Sequence, residues 1–132
     1  MPVKKTKFSF LRAEHLRIGR KGENIACAFL KNRFSEILFR NYRTSGGEID
    51  IVARDGSILC FVEVKTRRSS SRQRPAQGLS SKQKKRIHSA AMDYMKEINS
   101  QKIIFRFDLI EVILSPWDVQ ELRYWENHFV SP

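Results

Sequence analysis

Apolar and polar residues recur along the chain with two different periods, which predict two helices and five strands. Apolar residues at helical spacing predict a first amphipathic helix over 19–33 and a second over 81–98. Shorter apolar or alternating runs predict the strands Ile37–Tyr42, Ile49–Ala53, Ile58–Val64, Ile103–Leu114 and Val119–Trp125. The order α-β-β-β-α-β-β favours a mixed sheet covered by helices, that is, an α/β or α+β domain.

The remaining segments suggest an extension followed by one domain. Residues 1–18 form a basic stretch without a clear period, with a short helix around Phe10–Leu16, and 19–132 are expected to form a single domain. Thr44–Gly47 is typical of a turn, and the polar, basic segment 66–80 is typical of a flexible loop.

The second and third predicted strands form a hairpin, because Asp55-Gly56 between apolar runs is a strong turn signal. If these two residues make the turn, Asp50 lies opposite Phe61 and Glu48 lies opposite Glu63. Since side chains alternate along a strand, one face carries four charged residues: Glu48, Asp50, Glu63 and Lys65. The other face is then continuously apolar, with Ile49, Ile51, Ala53, Cys60, Val62 and Val64.

The charged face predicts a cation site. Three acids crowd against a single lysine, and opposed like charges destabilise a sheet. Hard divalent ions such as Mg²⁺ take carboxylate, carbonyl and water oxygens and would relieve this repulsion. A simpler interpretation stays open: Glu63 and Lys65 belong to a solvated strand face, and Glu48 pairs at the surface with an arginine such as Arg43.

The charge of the chain adds a partner class. It has 25 Lys plus Arg against 14 Asp plus Glu, a formal net charge of +11, which attracts polyanions such as nucleic acid or an anionic membrane surface. No apolar run approaches the roughly 20 residues of a spanning helix, and the basic start lacks the apolar stretch of a signal peptide. Cysteines without CxxC spacing and three isolated histidines argue against zinc. A cytoplasmic protein that does not engage the membrane is expected.

Several short motifs of this chain resemble the YraN-like bacterial proteins. They are Gly22-Glu23, Asn41-Tyr42-Arg43, Gly47-Glu48-Ile49-Asp50, Phe61-Val62-Glu63-Val64-Lys65, the basic start of the second helix and Arg106-Phe107-Asp108. The resemblance runs from Gly19 to Asn127. That family looks like a branch of the PD-(D/E)xK nucleases, close to Holliday-junction resolvases and restriction endonucleases. Ile49 stands where the superfamily name has its proline.

The resemblance implies a restriction-endonuclease-like mixed sheet and a metal-dependent endonuclease that hydrolyses phosphodiester bonds in DNA. Asp50 and Glu63 would match the acids that bind Mg²⁺ (or Mn²⁺), assisted by the Val64 carbonyl, and Lys65 would match the catalytic lysine. Glu23 would match the helix glutamate of many resolvases. Two further assignments are supporting ones: Gln77 as a helical glutamine of some branches, and Glu48 with Arg43 as groups that hold the site in place.

A stretch without acids follows the catalytic motif and predicts contacts to nucleic-acid phosphates. Its cations are Arg67, Arg68, Arg72, Arg74, Lys82, Lys84, Lys85 and Arg86. No base-reading motif is visible, which favours structure-selective or non-specific binding, with DNA favoured over RNA. The helical part can also be a merely solvated face.

Two rival functions and one assembly stay open. A non-catalytic nucleic-acid-binding module of the same fold would keep the acids for structure or a regulatory metal. A protein bound to ribosomal RNA would explain the charge but leave the carboxylates without a role. The last segment, Val119–Val130, is expected at a sheet edge, where it could pair with a second copy to form a homodimer.

Overall fold

A computed structural model describes residues 7–33, 36–69, 78–99 and 102–129 of the chain. Its elements are α1 Lys7–Arg33, β1 Glu36–Thr44, β2 Gly47–Asp55, β3 Ile58–Arg68, α2 Ser81–Glu97, β4 Phe105–Leu114 and β5 Val119–Phe129. The five strands form one sheet in the order β1-β2-β3-β4-β5, with β3 and β4 parallel and the other neighbours antiparallel. The predicted mixed α+β fold and its element order are confirmed. Within the described residues, neither helix has the length and apolar content needed to cross a membrane.

The two helices cover opposite faces of the sheet, and each closes its own core. The α1 side buries Ala26, Cys27, Leu30, Ile51, Ala53, Cys60, Val62, Ile110, Val112 and Leu114. The α2 side buries Ile49, Val52, Leu59, Phe61, Leu79, Ile87, Ala90, Ala91, Phe107, Leu109 and Phe129. Apolar contact with the central strands therefore fixes both helices, one on each face of the sheet.

The hairpin between β2 and β3 differs from the predicted one by two residues. Asp55 pairs with Ile58, so the turn residues are Gly56 and Ser57, and Gly56 has φ +59°. A hairpin turn that needs positive φ at its first central position selects this glycine. Phe61 consequently pairs with Val52, and the predicted pairing of Phe61 with Asp50 was wrong. A register shift of two residues does not by itself turn side chains to the other face.

One residue was predicted on the wrong face of the sheet. Ile49 packs in the α2-side core, whereas Ile51 packs in the α1-side core, although strict alternation would place both on one face. Asn41 in β1 has φ +54°, a left-handed conformation that interrupts alternation. Its neighbour Tyr42 pairs with Ile49 and also packs on the α2 side. Asp50 lies at this change of phase.

Two predicted segments also have different bounds in the structure. The predicted loop 66–80 was wrong at its start, because β3 continues to Arg68 and its last residues pair in parallel with β4. Likewise, α1 begins at Lys7 and passes without a break through residue 18. The helix can continue because 7–33 contains no proline. The predicted separation between an extension and the domain thus falls inside α1, and the division into domains stays a prediction.

Candidate active site

Two glycines bring four elements into close contact in two pairs, α1 with β3 and β2 with α2. A Cβ at Gly22 would overlap the Thr66 hydroxyl, so α1 can approach β3 closely only with glycine here. A Cβ at Gly47 would overlap the backbone carbonyl of Arg86 in α2. The first contact carries Glu23 to the edge of β3, and the second fixes the start of β2 against α2. The acids of β2 and β3 therefore lie in a gap between both helices.

Asp50 and Glu63 form the centre of the site. Asp50 Oδ2 accepts a hydrogen bond from the backbone N–H of Val64 at 2.8 Å. The Asp50 and Glu63 side chains line one cavity, where the charge of Asp50 acts on Glu63. The paired part of β2 and β3 ends at Ile51 and Val62. Beyond that pair, the Asp50 side chain joins the two strands.

The environment of these two acids disfavours two negative charges. Burial is the largest cause that raises the pKa of each carboxyl above its usual range. Their mutual repulsion raises the pKa of Glu63 further, and the charges of Glu23 and Glu48 add to the effect on Asp50. Without a cation, the pair holds a proton more strongly than two exposed carboxyls would. A divalent cation would replace that proton.

Lys65 is held by the first turn of α2. Its Nζ lies 3.4 Å from Gln83 Oε1, and the same oxygen accepts the Ser80 backbone N–H at 3.0 Å. Ser80 Oγ in turn accepts the Gln83 N–H at 3.1 Å, which completes a capping box. The sequence interpretation pointed to Gln77, which lies outside the described residues, and missed Gln83. The Ser-x-x-Gln spacing at a helix start was the signal that could have found it.

A cavity of about 200 Å³ opens beside the acids. Its lining consists of Glu48, Asp50, Glu63, Gln83, Arg86 and Ile87. Glu48 also forms an ion pair with Arg43, at 3.3 Å, as the simpler interpretation expected. Arg86, an exposed residue of the predicted basic stretch, is thus part of the cavity wall.

Glu23 faces the acids from the α1 side. Its charge acts on Asp50, and its Oε2 lies 3.8 Å from Arg40 Nη2, which also donates to Asn24 Oδ1 at 2.8 Å. Arg40 was missed by the sequence interpretation. Its position follows from the pairing of Arg40 with Ile51, a residue of the α1-side core.

The donor set fits Mg²⁺ better than a metal held by protein ligands alone. Among the described residues, no group of three or more His, Cys, Asp or Glu side chains could hold a metal ion by itself. Asp50 and Glu63 supply two carboxylates that line one cavity, and the Val64 backbone contacts Asp50 through its N–H. Mg²⁺ is usually bound through one or two carboxylates, with waters and substrate phosphates completing its octahedron.

Glu111 of β4 is a buried acid that the sequence interpretation missed. It is fully buried, and neither carboxylate oxygen has a hydrogen-bond partner. It pairs in register with Lys65 on one side and Arg123 on the other. Burial raises the pKa of Glu111, while the charges of Arg67, Arg123 and Lys65 lower it. An acid inside the otherwise apolar run LIEVIL was the available signal.

Six of the eight predicted phosphate-binding cations lie in two described elements, β3 and α2. Arg67 and Arg68 lie in the last residues of β3, and Lys82, Lys84, Lys85 and Arg86 lie in the first two turns of α2. Lys82, Lys85 and Arg86 are exposed, whereas Lys84 packs over the Phe129 ring. Arg72 and Arg74 lie outside the described residues. The start of α2, which has no acid in its first turn, therefore presents positive charge beside the cavity.

The Arg106-Phe107-Asp108 motif lies away from these acids, beside the β2–β3 turn. Asp108 is fully buried and accepts from Arg106 Nε at 3.0 Å, Tyr124 Oη at 2.6 Å and the Asn127 N–H at 2.8 Å. Arg106 also donates to Asp55 at 3.2 Å. This network joins β4 and β5 to the hairpin, which makes the motif a structural one.

Comparisons with known proteins agree on one family. The model of the uncharacterised protein family UPF0102 matches residues 22–112. A UPF0102 protein of Dictyoglomus turgidum is 42% identical over 113 residues, which cover 85% of this chain and 96% of the relative. A UPF0102 protein of Chlorobaculum parvum is 39% identical over 109 residues, covering 83% and 84%. One from Geobacter sulfurreducens is 39% identical over 113 residues, covering 85% and 88%. The chain therefore belongs to the uncharacterised protein family UPF0102, the YraN-like family that its motifs resemble.

Proposed function

We propose that this protein is a metal-dependent endonuclease of the PD-(D/E)xK type that hydrolyses phosphodiester bonds in DNA. The observation that carries the proposal is the half-buried pair of Asp50 and Glu63, which line one cavity, with Lys65 two residues beyond Glu63 on the same strand. A structural ion pair would place one acid against one base. Here two acids face each other, which suits a shared divalent cation.

Asp50, Glu63 and the Val64 carbonyl would hold the Mg²⁺ ion. When bound, the ion supplies Lewis-acid activation of the scissile phosphate and of a water nucleophile. The Val64 N–H keeps the Asp50 carboxylate oriented toward Glu63. Glu23 would contribute negative charge from the α1 side, through a water if it does not reach the ion directly.

Lys65 would stabilise the charge that develops on the phosphate. Preorganised cations and hydrogen-bond donors at such a position contribute most when they need no rearrangement during the reaction. Gln83 provides this preorganisation, since its side-chain oxygen is already held by the backbone of the α2 cap.

The positive charge around the site supports a nucleic-acid substrate. Lys82, Lys85 and Arg86 project from the start of α2, next to the cavity that Arg86 helps to line. Such cations contact phosphates without reading bases, and their contribution to binding falls steeply with salt. A non-specific or structure-selective endonuclease needs no more than this.

The proposal is tested with labelled single-stranded, duplex, flap and four-way-junction DNA and matching RNA, in Mg²⁺, Mn²⁺ or EDTA. We expect cutting that requires metal and falls about 100- to 1,000-fold in Lys65→Ala, with a comparable loss in Glu63→Ala. Arg54→Ala is the matched control, because Arg54 pairs with Glu36 at the exposed edge of the sheet. Metal-independent binding without cutting, equal in all variants, would instead support the non-catalytic module.

A further inference from the structure

A second cavity lies further along β3, away from the proposed catalytic residues. Its volume is about 210 Å³, and it is enclosed by α1, the end of β3 and the turn between β4 and β5. The lining residues are Arg17, Ile18, Lys21, Arg68, Ser69, Leu114, Ser115 and Pro116. Three of them are cations and Ser69 adds a hydroxyl, whereas the Ser115 hydroxyl donates to the Asp118 carbonyl at 3.0 Å. Such a lining suits an anion with several hydrogen-bond acceptors.

The charge of this cavity remains positive after its neighbouring acids are counted. Glu14 forms ion pairs with Arg17, at 3.6 Å, and with Arg68. The Asp118 carboxylate accepts a hydrogen bond from the backbone N–H of Val119 at 2.7 Å, and Asp118 is not one of the lining residues. Glu14 thus offsets one of the three cations. Both arginines keep half or more of their side chains exposed, at 76% for Arg17 and 50% for Arg68.

An exposed tryptophan follows directly after the cavity wall. Trp117 is 90% exposed, and its neighbour Pro116 lines the cavity. The turn that carries it is ordered by Ser115, whose Oγ accepts the N–H groups of Trp117 and Asp118 at 3.4 and 3.0 Å. A large apolar ring held in solvent beside a cationic cavity matches a ligand that joins an anion to a flat ring. A nucleotide unit has that chemistry.

We propose that this cavity binds a backbone phosphate of a single-stranded nucleic-acid segment, with the adjacent base stacked on Trp117. The inference rests on the proposed function in taking the ligand to be nucleic acid. Arg68 is three residues beyond Lys65 on β3, about 10 Å along the strand. Because this spacing is odd, Arg68 lies on the α1 face of the sheet and Lys65 on the α2 face. A substrate strand that occupies both places passes around the end of the sheet, and the cavity would then hold single-stranded DNA flanking the cut.

Tryptophan fluorescence tests the proposal on the whole protein in EDTA, where no cutting interferes. The probes are a labelled 12-nucleotide oligothymidylate, the corresponding duplex, and thymidine monophosphate as a free nucleotide. We expect the single strand to quench the emission, and Trp117→Phe to lose that quenching. Trp117→Ala is expected to bind about tenfold more weakly, as the loss of one base–aromatic stack predicts.

Substitution of two lysines on α1 distinguishes binding at a defined subsite from general electrostatic attraction. Lys21 lines the cavity, whereas Lys31 is exposed in the last turn of the same helix. We expect Lys21→Ala to weaken binding several-fold and to reduce the salt slope by about one phosphate contact, with little change in Lys31→Ala. Equal losses in both variants, or unchanged quenching in Trp117→Phe, would overturn the subsite. If thymidine monophosphate quenches as strongly as the oligonucleotide, the claim that the cavity binds a single-stranded nucleic acid is overturned, and a free nucleotide is the ligand.

The cutting assay keeps this proposal apart from the nuclease proposal. If no DNA is cut under any condition but Trp117-dependent binding persists, the proposed subsite is supported and the proposed nuclease activity is rejected. If cutting depends on Glu63 and Lys65 while Trp117→Ala binds and cuts like the wild type, the nuclease stands and the subsite falls.

Discussion

The Asp50 carboxylate accepts a hydrogen bond from the Val64 backbone N–H at 2.8 Å, just beyond the last paired residues of β2 and β3. A backbone carbonyl would normally occupy this place in an antiparallel ladder. The side chain takes it instead, which holds the acid inward and close to Glu63. A carboxylate in this position is both a structural link between two strands and a candidate metal ligand.

This carboxyl pair predicts an unusual pH dependence of stability in EDTA. Because folding raises the pKa of Asp50 and of Glu63, the folded protein binds protons more readily than the unfolded chain. The stability that the pair contributes is therefore complete below the usual carboxyl pKa and is lost as pH rises through the raised values. In Glu63→Gln, which keeps a hydrogen-bonding side chain without the charge, the share of this loss due to Glu63 should be absent, and only the share due to the burial of Asp50 should remain.

The measurement is thermal melting of wild type and Glu63→Gln from pH 5 to pH 9. We expect the wild-type Tm to fall more steeply, with each kcal/mol lost worth about 4 °C in a domain of this size. Millimolar Mg²⁺ at pH 8 should restore the wild type but not the variant, because a bound ion stabilises the folded state. Parallel melting curves in EDTA would contradict the assignment.

Gln83 should act on cutting through Lys65. Removing its side chain releases the Lys65 ammonium from a defined position, and groups that orient a catalytic residue in this way typically cost about 10- to 100-fold in activity. Gln83→Ala should therefore lower kcat with little change in DNA binding. Ser80→Ala is the matched variant: it removes the other half of the capping box, costs about 1 kcal/mol of stability and leaves the Gln83 side chain in place. Equal activity losses in both variants would mean that the cap alone matters.

The sequence predicted the charged face correctly because alternation survives an error of two residues in the register. Glu63 and Lys65 were placed together although the turn was assigned to Asp55-Gly56 in place of Gly56-Ser57. The face of Ile49 was not predicted, because the change of phase in β2 lies opposite the left-handed Asn41 of β1, and strict alternation along β2 carries no sign of it.

Contacts between distant parts of the chain were the other unpredictable feature. Glu111 follows Lys65 by 46 positions and becomes its neighbour only through the parallel pairing of β3 with β4. The cavity beside Trp117 likewise combines α1 with a turn near the other end of the chain. Periodicity predicts which elements form, whereas the partners of each side chain depend on how those elements are packed.

The two close glycine contacts predict a position-dependent effect of alanine. At Gly47, a methyl group would overlap the Arg86 carbonyl, which belongs to the backbone of α2 and cannot move alone. We expect Gly47→Ala to destabilise the fold by about 1–3 kcal/mol, as overpacking does. Gly19→Ala is the control, because a methyl group there meets open space and alanine favours a helix over glycine by about 1 kcal/mol. Urea unfolding of both variants measures the difference, and a stabilised Gly47→Ala would show that α2 does not approach β2 as described.

The Arg106 and Asp108 pair should matter for folding and not for chemistry. Asp108 is fully buried and Arg106 keeps only 13% of its side chain exposed. Removing Arg106 leaves the Asp108 carboxylate in the interior without its cation, whereas removing Asp108 leaves Arg106 its ion pair with Asp55 at 3.2 Å. Breaking a buried pair costs about 3–5 kcal/mol, so Arg106→Leu should lose that much in urea unfolding and Asp108→Leu should lose less. The double variant should recover part of the Arg106→Leu loss, because the buried acid is then absent. Tyr124→Phe removes the hydrogen bond to Asp108 and the one accepted from Arg106 Nη2 at 3.2 Å but leaves both charges in place, and should cost about 1–3 kcal/mol. Since these residues lie near the β2–β3 turn, any single variant that stays folded at low temperature should cut DNA at the wild-type rate. A specific loss of cutting in folded Tyr124→Phe would instead place this network in the catalytic machinery.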